Sequence, residues 1–281
     1  MIPSFKNPSF KNRIVTAVFV FTSLAGFHAK ADLVSCGVDL GAAGRTKQWA
    51  IFTLGNNVSL NVNMSGQALV IGDVGAAGTG NVTVGSSQAR IQGSLYQHTG
   101  GNLNKSGTIT GSTFQNAATD SLLNQAAIDA QNASDEAWAL GVTPAYSSLT
   151  NVNLSGGNIT ITGSGCVVLK LTNFVISGHG TFTLAGTAGT SYIINVSNQF
   201  SLSNSSQIVL GTGIRPQDVL FNVRGTGSQV VLSGSTQFNG ILLATKRTVS
   251  ISGSTQVRGE VIANSVNISG QARVVTPSTN P

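Results

Sequence analysis

The residues that could do chemistry are few and far apart. Cleaving a polysaccharide takes carboxylates held in pairs as acid and base, or a base flanked by arginine or lysine. The 281-residue chain carries only nine acidic residues. Asp120, Asp129, Asp135 and Glu136 crowd one segment, where their plain reading is the solvated side of a helix. Asp73 stands between glycines, a setting in which aspartate more often closes a turn than catalyses. Glu260 fills a repeat position that Ile241 also fills, so neither residue type is required there. His98 and His179 lie 81 residues apart and have no ligand spacing. No P-loop, dinucleotide fingerprint or nucleophile elbow occurs. The sequence therefore predicts no catalytic residue, no metal and no cofactor, and it is read as that of a protein that is not an enzyme.

Two other sets of residues could act without catalysis. Cys36 and Cys166 could pair in an oxidising compartment, or remain as two buried thiols. Thr108 and Thr110, Thr160 and Thr162, and Thr181 and Thr183 each place two hydroxyls on one side of a strand. These six threonines are the candidate surface-contact residues. They do not recur at constant spacing.

The compartment is set by the first residues. Lys6, Lys11 and Arg13 precede an apolar stretch from Ile14 to Phe27, and Ala29-Lys30-Ala31 offers a cleavage pattern. Residues 1–31 are read as a signal peptide, with an N-terminal anchor as the alternative. The stretch is shorter than the roughly 20 residues a membrane span needs. Without Lys6, Lys11, Arg13 and Lys30, the 15 basic residues fall to 11 against nine acids, a net charge of +2. Such a balance gives little general attraction for nucleic acid or anionic lipid. Charged residues make up 9% of the chain, against about 25% in an average domain. The surface must be kept wet by hydroxyls and amides.

The elements that would position these groups come from a repeat. Leu232-Ser-Gly-Ser-Thr-Gln-Phe-Asn-Gly240 returns as Ile251-Ser-Gly-Ser-Thr-Gln-Val-Arg-Gly259, and Ile268-Ser-Gly270 begins it again. Met64-Ser-Gly66, Leu154-Ser-Gly156 and Ile176-Ser-Gly178 are fainter copies. A unit of 17 to 19 residues cannot bury its own apolar face and must stack on its neighbours. The glycine suits a corner that needs positive φ. The expected fold is mainly β: a right-handed parallel β-solenoid of about eleven coils, roughly 50 Å long at one coil per strand spacing. A β-sandwich is the competing architecture. Residues 32–275 are read as a single domain, and 276–281 as a short polar tail.

One segment breaks the β pattern. From Ala117 to Leu140 there is no internal Gly or Pro, and Leu123, Ala126, Ala127, Ala130, Ala133, Ala137 and Leu140 form one helical stripe. Thr119 or Asp120 can cap the start, and Gly141 with Pro144 stops the helix. An alanine stripe lets a helix lie close against a flat β face. Trp138 is read as a packing anchor, with ligand stacking as the alternative.

The stretch Asp218–Gly234, the run Phe238–Ala244, the segment Ala50–Gly55, Ile71–Gly75 and Asn124–Ala130 together resemble exported bacterial proteins of the choice-of-anchor A, collagen-binding-like type. A more distant similarity joins the chain to the ice-binding-like β-solenoids. The resemblance implies a surface or matrix role and a stack of coils beside one long helix. The sorting tail common in such proteins has no counterpart after Val275.

Six of the last basic residues, Arg215, Arg224, Lys246, Arg247, Arg258 and Arg273, could form a patch for acidic glycans or be scattered solubility charges. Aromatic interleaving of the sort single-stranded nucleic acid needs is absent. The leading expectation is a secreted, non-catalytic structural or adhesive protein. It would bind an extracellular surface, matrix protein or polysaccharide, with no nucleic-acid partner and no membrane span after cleavage. Ice binding is the alternative, and a polysaccharide-active β-helix enzyme the third reading.

Overall fold

A computed structural model describes residues 36–44 and 48–276. The signal peptide read over 1–31 and most of the polar tail lie outside the described residues. The protein is mainly β with one long helix, Ala117–Ala139. Every strand pairing among the described residues is parallel, and the pairings fall into three ladders that the chain visits in turn.

The first ladder runs from Thr113–Phe114 through Leu95–Gln97, Asp73–Ala76 and Trp49–Thr53 to 261–263, 241–244, Val219–Val223, 191–196 and 166–171. The second runs from Leu103–Lys105 through Asn81–Val84 and Leu60–Met64 to 266–268, 249–251, Val230–Leu232, 199–202, 173–177 and Asn151–Ser155. The third runs from Thr108–Ile109 through Arg90–Gln92, Leu69–Ile71 and Arg273–Val275 to 256–258, 237–239, Gln207–Leu210, Thr181–Gly186 and Asn158–Gly163. Each ladder therefore has nine layers, spanning eight spacings or roughly 38 Å. The eleven coils expected from the repeat length are too many. The helix and the segment 140–150 take up residues that the estimate had assigned to coils.

The order of layers is not the order of the chain. The layers of 49–114 grow away from Trp49, whereas those of 151–276 approach it from the other end, so that the last layer stacks on the first. The long helix connects the two outer ends. Its 23 residues rise about 34 Å, close to the height of the stack.

The interior between the ladders is filled by the inward residue of each strand. Val230, Val249 and Val266 stack in register, all buried. Val231 lies beside Ser250 on the outer side and is half-buried. The phenylalanines cluster in the C-terminal half, with the rings of Phe174 and Phe200 stacked at 5.1 Å. At the Ser-Gly corner, Gly253 has φ +72, and a Cβ there would meet the carbonyl oxygen of Gly234 at 2.5 Å. At this corner, so closely stacked on the next, only glycine fits.

The helix begins one turn before the expected caps. Asn116, extended at φ −154 and ψ 171, accepts from the Thr119 amide at 2.9 Å, and Asp120 sits within the first turn. Leu123, Ala126, Ala130, Ala133 and Ala137 are buried against Trp49, Phe52, Ile193, Leu220, Ile241, Leu243 and Ile262 of the first ladder. Small side chains allow that approach, and a buried polar cluster fixes it. Asn195 Nδ2 donates to the Ala137 carbonyl at 2.7 Å, Asn222 Nδ2 to the Ser134 carbonyl at 2.9 Å, and Ser134 Oγ to Asn222 Oδ1 at 2.7 Å. The helix thus covers the first ladder and leaves the other two to solvent.

Candidate functional site

The second ladder presents the most regular surface. Ser155 pairs with Ser177, and the amides of Ser203, Ser233, Ser252, Ser269 and Ser65 each donate to the carbonyl just before the preceding serine. Gly85 and then Ser106 complete the column, so eight of nine layers place a serine at this corner. Two residues earlier in each strand, the outward positions are Asn153, Val175, Ser201, Val231, Ser250, Asn267, Asn63, Thr83 and Asn104, none of them ionisable. Amide ladders stiffen the far edge: Asn173 Nδ2 donates to Asn151 Oδ1 and Asn198 Nδ2 to Asn173 Oδ1, both at 2.9 Å. Thr248 and Ser265 share a hydrogen bond of 2.8 Å in the same column.

This face is an array mainly of short hydroxyl and amide groups, interrupted by Val175, Val231 and Gly85, repeating about every 4.8 Å. The Ser-Gly repeat was visible in the sequence as a corner signal. The surface column it builds was not. Ser203 is followed by Asn204, which takes the corner at φ +53 in place of glycine, and Ser106 lies in the half that the repeat hardly marks.

The six candidate threonines all lie on the third ladder. Thr160 pairs with Thr183 and Thr181 with Asn158 at one end, while Thr162 stands beside Ala185. Thr108 is opposite Arg90 at the other end, with the Thr110 amide donating to the Ile91 carbonyl. Six layers separate the two groups, and their outward positions carry Gln, Asn, Arg, Val, Leu and Ile. The threonines share a face without forming a continuous row.

Cys36 and Cys166 are joined in a disulfide. It ties the segment holding the buried Val38 and Leu40 to the outermost layer of the first ladder.

The acidic residues are used in binding the helix down. Asp129 Oδ2 accepts from the Ala42 amide at 2.7 Å, and Asp135 Oδ1 pairs with Arg224 Nη2 at 2.6 Å. Asp120 accepts from the Thr99 hydroxyl at 2.6 Å and the Thr99 amide at 2.9 Å. The Thr99 hydroxyl bond does most to hold the Asp120 carboxyl below the usual carboxylate range, with His98 adding a smaller pull. His98 Nε2 is 3.9 Å from Asp120, but its Nδ1 accepts from the Gly100 amide at 3.0 Å. The imidazole does not stand between the hydroxyl and the carboxylate, as a hydroxyl nucleophile would need. The group latches a loop to the helix N-terminus. Glu260 is buried in register with Ile241. Among the described residues no three His, Cys, Asp or Glu are grouped to hold a metal, and no helix is long and apolar enough to cross a membrane.

Trp138 is half-buried, with the Lys170 ammonium 5.6 Å and the Arg224 guanidinium 5.4 Å from its ring centroid. Both lie on the ladder that the helix covers, so the ring pins the helix edge. Of the six late basic residues, Arg215 is bound bidentately by Asp218 at 2.9 and 3.0 Å. Arg247 is buried and donates to the carbonyls of Gly225, Asn198, Ser228, Ser197 and Arg224, and burial lowers its pKa.

Among the described residues, the parallel layers stack with one face covered by the helix and two left open. The chain belongs to the family described as "Putative Ice-binding-like adhesive domain", whose match spans residues 42–274. That match supports the more distant of the two resemblances read in the sequence; the choice-of-anchor A, collagen-binding-like assignment gains no support. Three solved structures share the fold. An ice-binding protein from the Antarctic ascomycete Antarctomyces psychrotrophicus has a TM-score of 0.57 at 20% identity, over 87% of this chain and 99% of the other. One from an Arctic yeast has 0.60 at 17%, over 88% and 97%. One from Shewanella frigidimarina has 0.54 at 14%, over 85% and 97%. At these identities the likeness speaks for the fold alone. No curated protein sequence matches the chain.

Proposed function

We propose that this is a secreted, non-catalytic adhesive domain: one right-handed parallel β-solenoid over residues 32–275 that holds its serine face against an extracellular surface. The observation that carries the reading is the column of eight serines beside nine outward positions free of charge. Short side chains on paired strands have little rotamer freedom to lose on contact. A charge-free face loses no ion hydration when it meets a surface that is itself hydroxylated. A neutral polysaccharide or a matrix protein would suit it. The basic, apolar and small-x-small order of the first 31 residues supports export.

The test is retention on immobilised neutral polysaccharide and on collagen, comparing the wild type with a Ser250→Lys, Asn267→Lys variant. Retention of the wild type, with at least about a tenfold loss in the variant, is expected. Equal behaviour of the two proteins, or no retention on any surface, would sink the reading.

Ice is a second candidate surface. The regular 4.8 Å spacing of hydroxyls favours it, together with the names of the structural neighbours as ice-binding proteins. Thermal hysteresis and ice-recrystallisation measurements decide it, and a null result in both removes ice.

A further inference from the structure

We propose that the third face carries a separate binding site for an acidic polysaccharide, centred on Arg90, Arg258 and Arg273. The sequence scatters these arginines, with Arg90 far from the other two. The stacking of the last layer on the first brings them together: Arg273 lies opposite Leu69, and Leu69 opposite Arg90. Arg273 and Arg90 therefore share a column two layers, or about 10 Å, apart. Arg258 stands in the next column, opposite Val275.

All three are exposed. The other late arginines are occupied: Arg215 by Asp218, Arg224 by Asp135, and Arg247 by carbonyls. None of Arg90, Arg258 and Arg273 has an ion-pair partner among the described residues, and no carboxylate projects from this face in any of its nine layers. Asp73, at the corner beyond Ile71, accepts from the Ser94 amide at 2.7 Å. Glu260, two residues after Arg258, is buried.

The ground around Arg273 suits an acidic sugar chain more than any other polyanion. A shallow groove of about 460 Å³ crosses the seam, lined by Gln67, Leu69, Ser254, Gln256, Gln271 and Arg273. Three primary amides and a hydroxyl offer donors and acceptors for sugar hydroxyls. Half-buried Leu69, Ile71 and Val275 form an apolar strip for the C–H face of a sugar ring. The guanidinium forks match carboxylate or sulfate groups bidentately. Nucleic acid is disfavoured, because the face has no aromatic side chain on which a base could stack.

This goes beyond the adhesive reading of the serine face and uses a different surface. The test is affinity electrophoresis of the folded protein through gels containing alginate, a polyuronate, or dextran, a neutral glucan. A competing duplex DNA is included, and the Arg90→Gln, Arg258→Gln, Arg273→Gln variant is run in parallel. Retardation of the wild type by alginate should exceed any retardation by dextran through the serine face, and the alginate effect should weaken at high salt. The triple variant should lose at least about tenfold in apparent affinity. The Ser250→Lys, Asn267→Lys protein should still bind alginate, which separates failure here from failure of the serine face. Equal retardation of wild type and triple variant, retardation by dextran as strong as by alginate, or displacement by DNA at matched charge would each overturn the proposal.

Discussion

The backbone amide of Asn56 donates to Asn264 Oδ1 at 2.8 Å, and Asn264 Nδ2 donates back to the Asn56 carbonyl at 3.2 Å, across 208 residues of sequence. One side chain thus clips the first layer to the last. Both bonds are exposed to water. Asn264→Ala should cost about 1 kcal/mol, seen as a lower urea midpoint with an unchanged slope. A loss below about 0.3 kcal/mol would mean that strand pairing alone holds the seam.

Besides the Asp135–Arg224 ion pair, the helix is fastened by a buried network of uncharged groups. Asn222 donates to Asn195 Oδ1 and to the Ser134 carbonyl, and accepts from the Ser134 hydroxyl. Asn222→Ala strips partners from three buried groups at once, so a loss of about 2–4 kcal/mol is expected. Hydrogen exchange should show the amides of 130–139 opening before those of the central strands.

Cutting the Cys36–Cys166 bridge frees a loop with a sequence separation of 130. Reduction, or Cys36→Ala with Cys166→Ala, should lower stability by about 2–4 kcal/mol. A melting curve with and without reductant checks this. The double variant should be insensitive to reductant.

Asp120 supplies the pH dependence. Its folded pKa lies below the unfolded value, so the stabilisation it gives is present above the unfolded pKa and is lost as pH falls through the folded one. Asp120→Asn should therefore cost about 1 kcal/mol at neutral pH and progressively less below about pH 4. Urea unfolding at several pH values gives the gap directly, and a gap that does not shrink in acid would rule out the Thr99 latch.

Sequence reading reached the element types because local chemistry decides them. The Ala117–Ala139 segment has no internal breaker and an alanine stripe, and the Ser-Gly dipeptides mark corners whichever layer lies next. What it missed depends on which layers meet. Nothing local says that Val274 stacks on Val70 or Ile51 on Val261, so neither the nine-layer height nor the arginine group could be read from residue spacing.

The closure of the last layer on the first bears on how the molecule comes to be made. Growing from its N-terminus, the chain completes the layers of 49–114 long before the strand at Gln256–Ile268 that must lie beneath Trp49 exists. Its pairings are therefore the kind that form slowly, with an unsatisfied edge waiting meanwhile. A chain cut short before Gln256 would leave two separate half-stacks joined by the helix and the Cys36–Cys166 bridge, each with a raw apolar end.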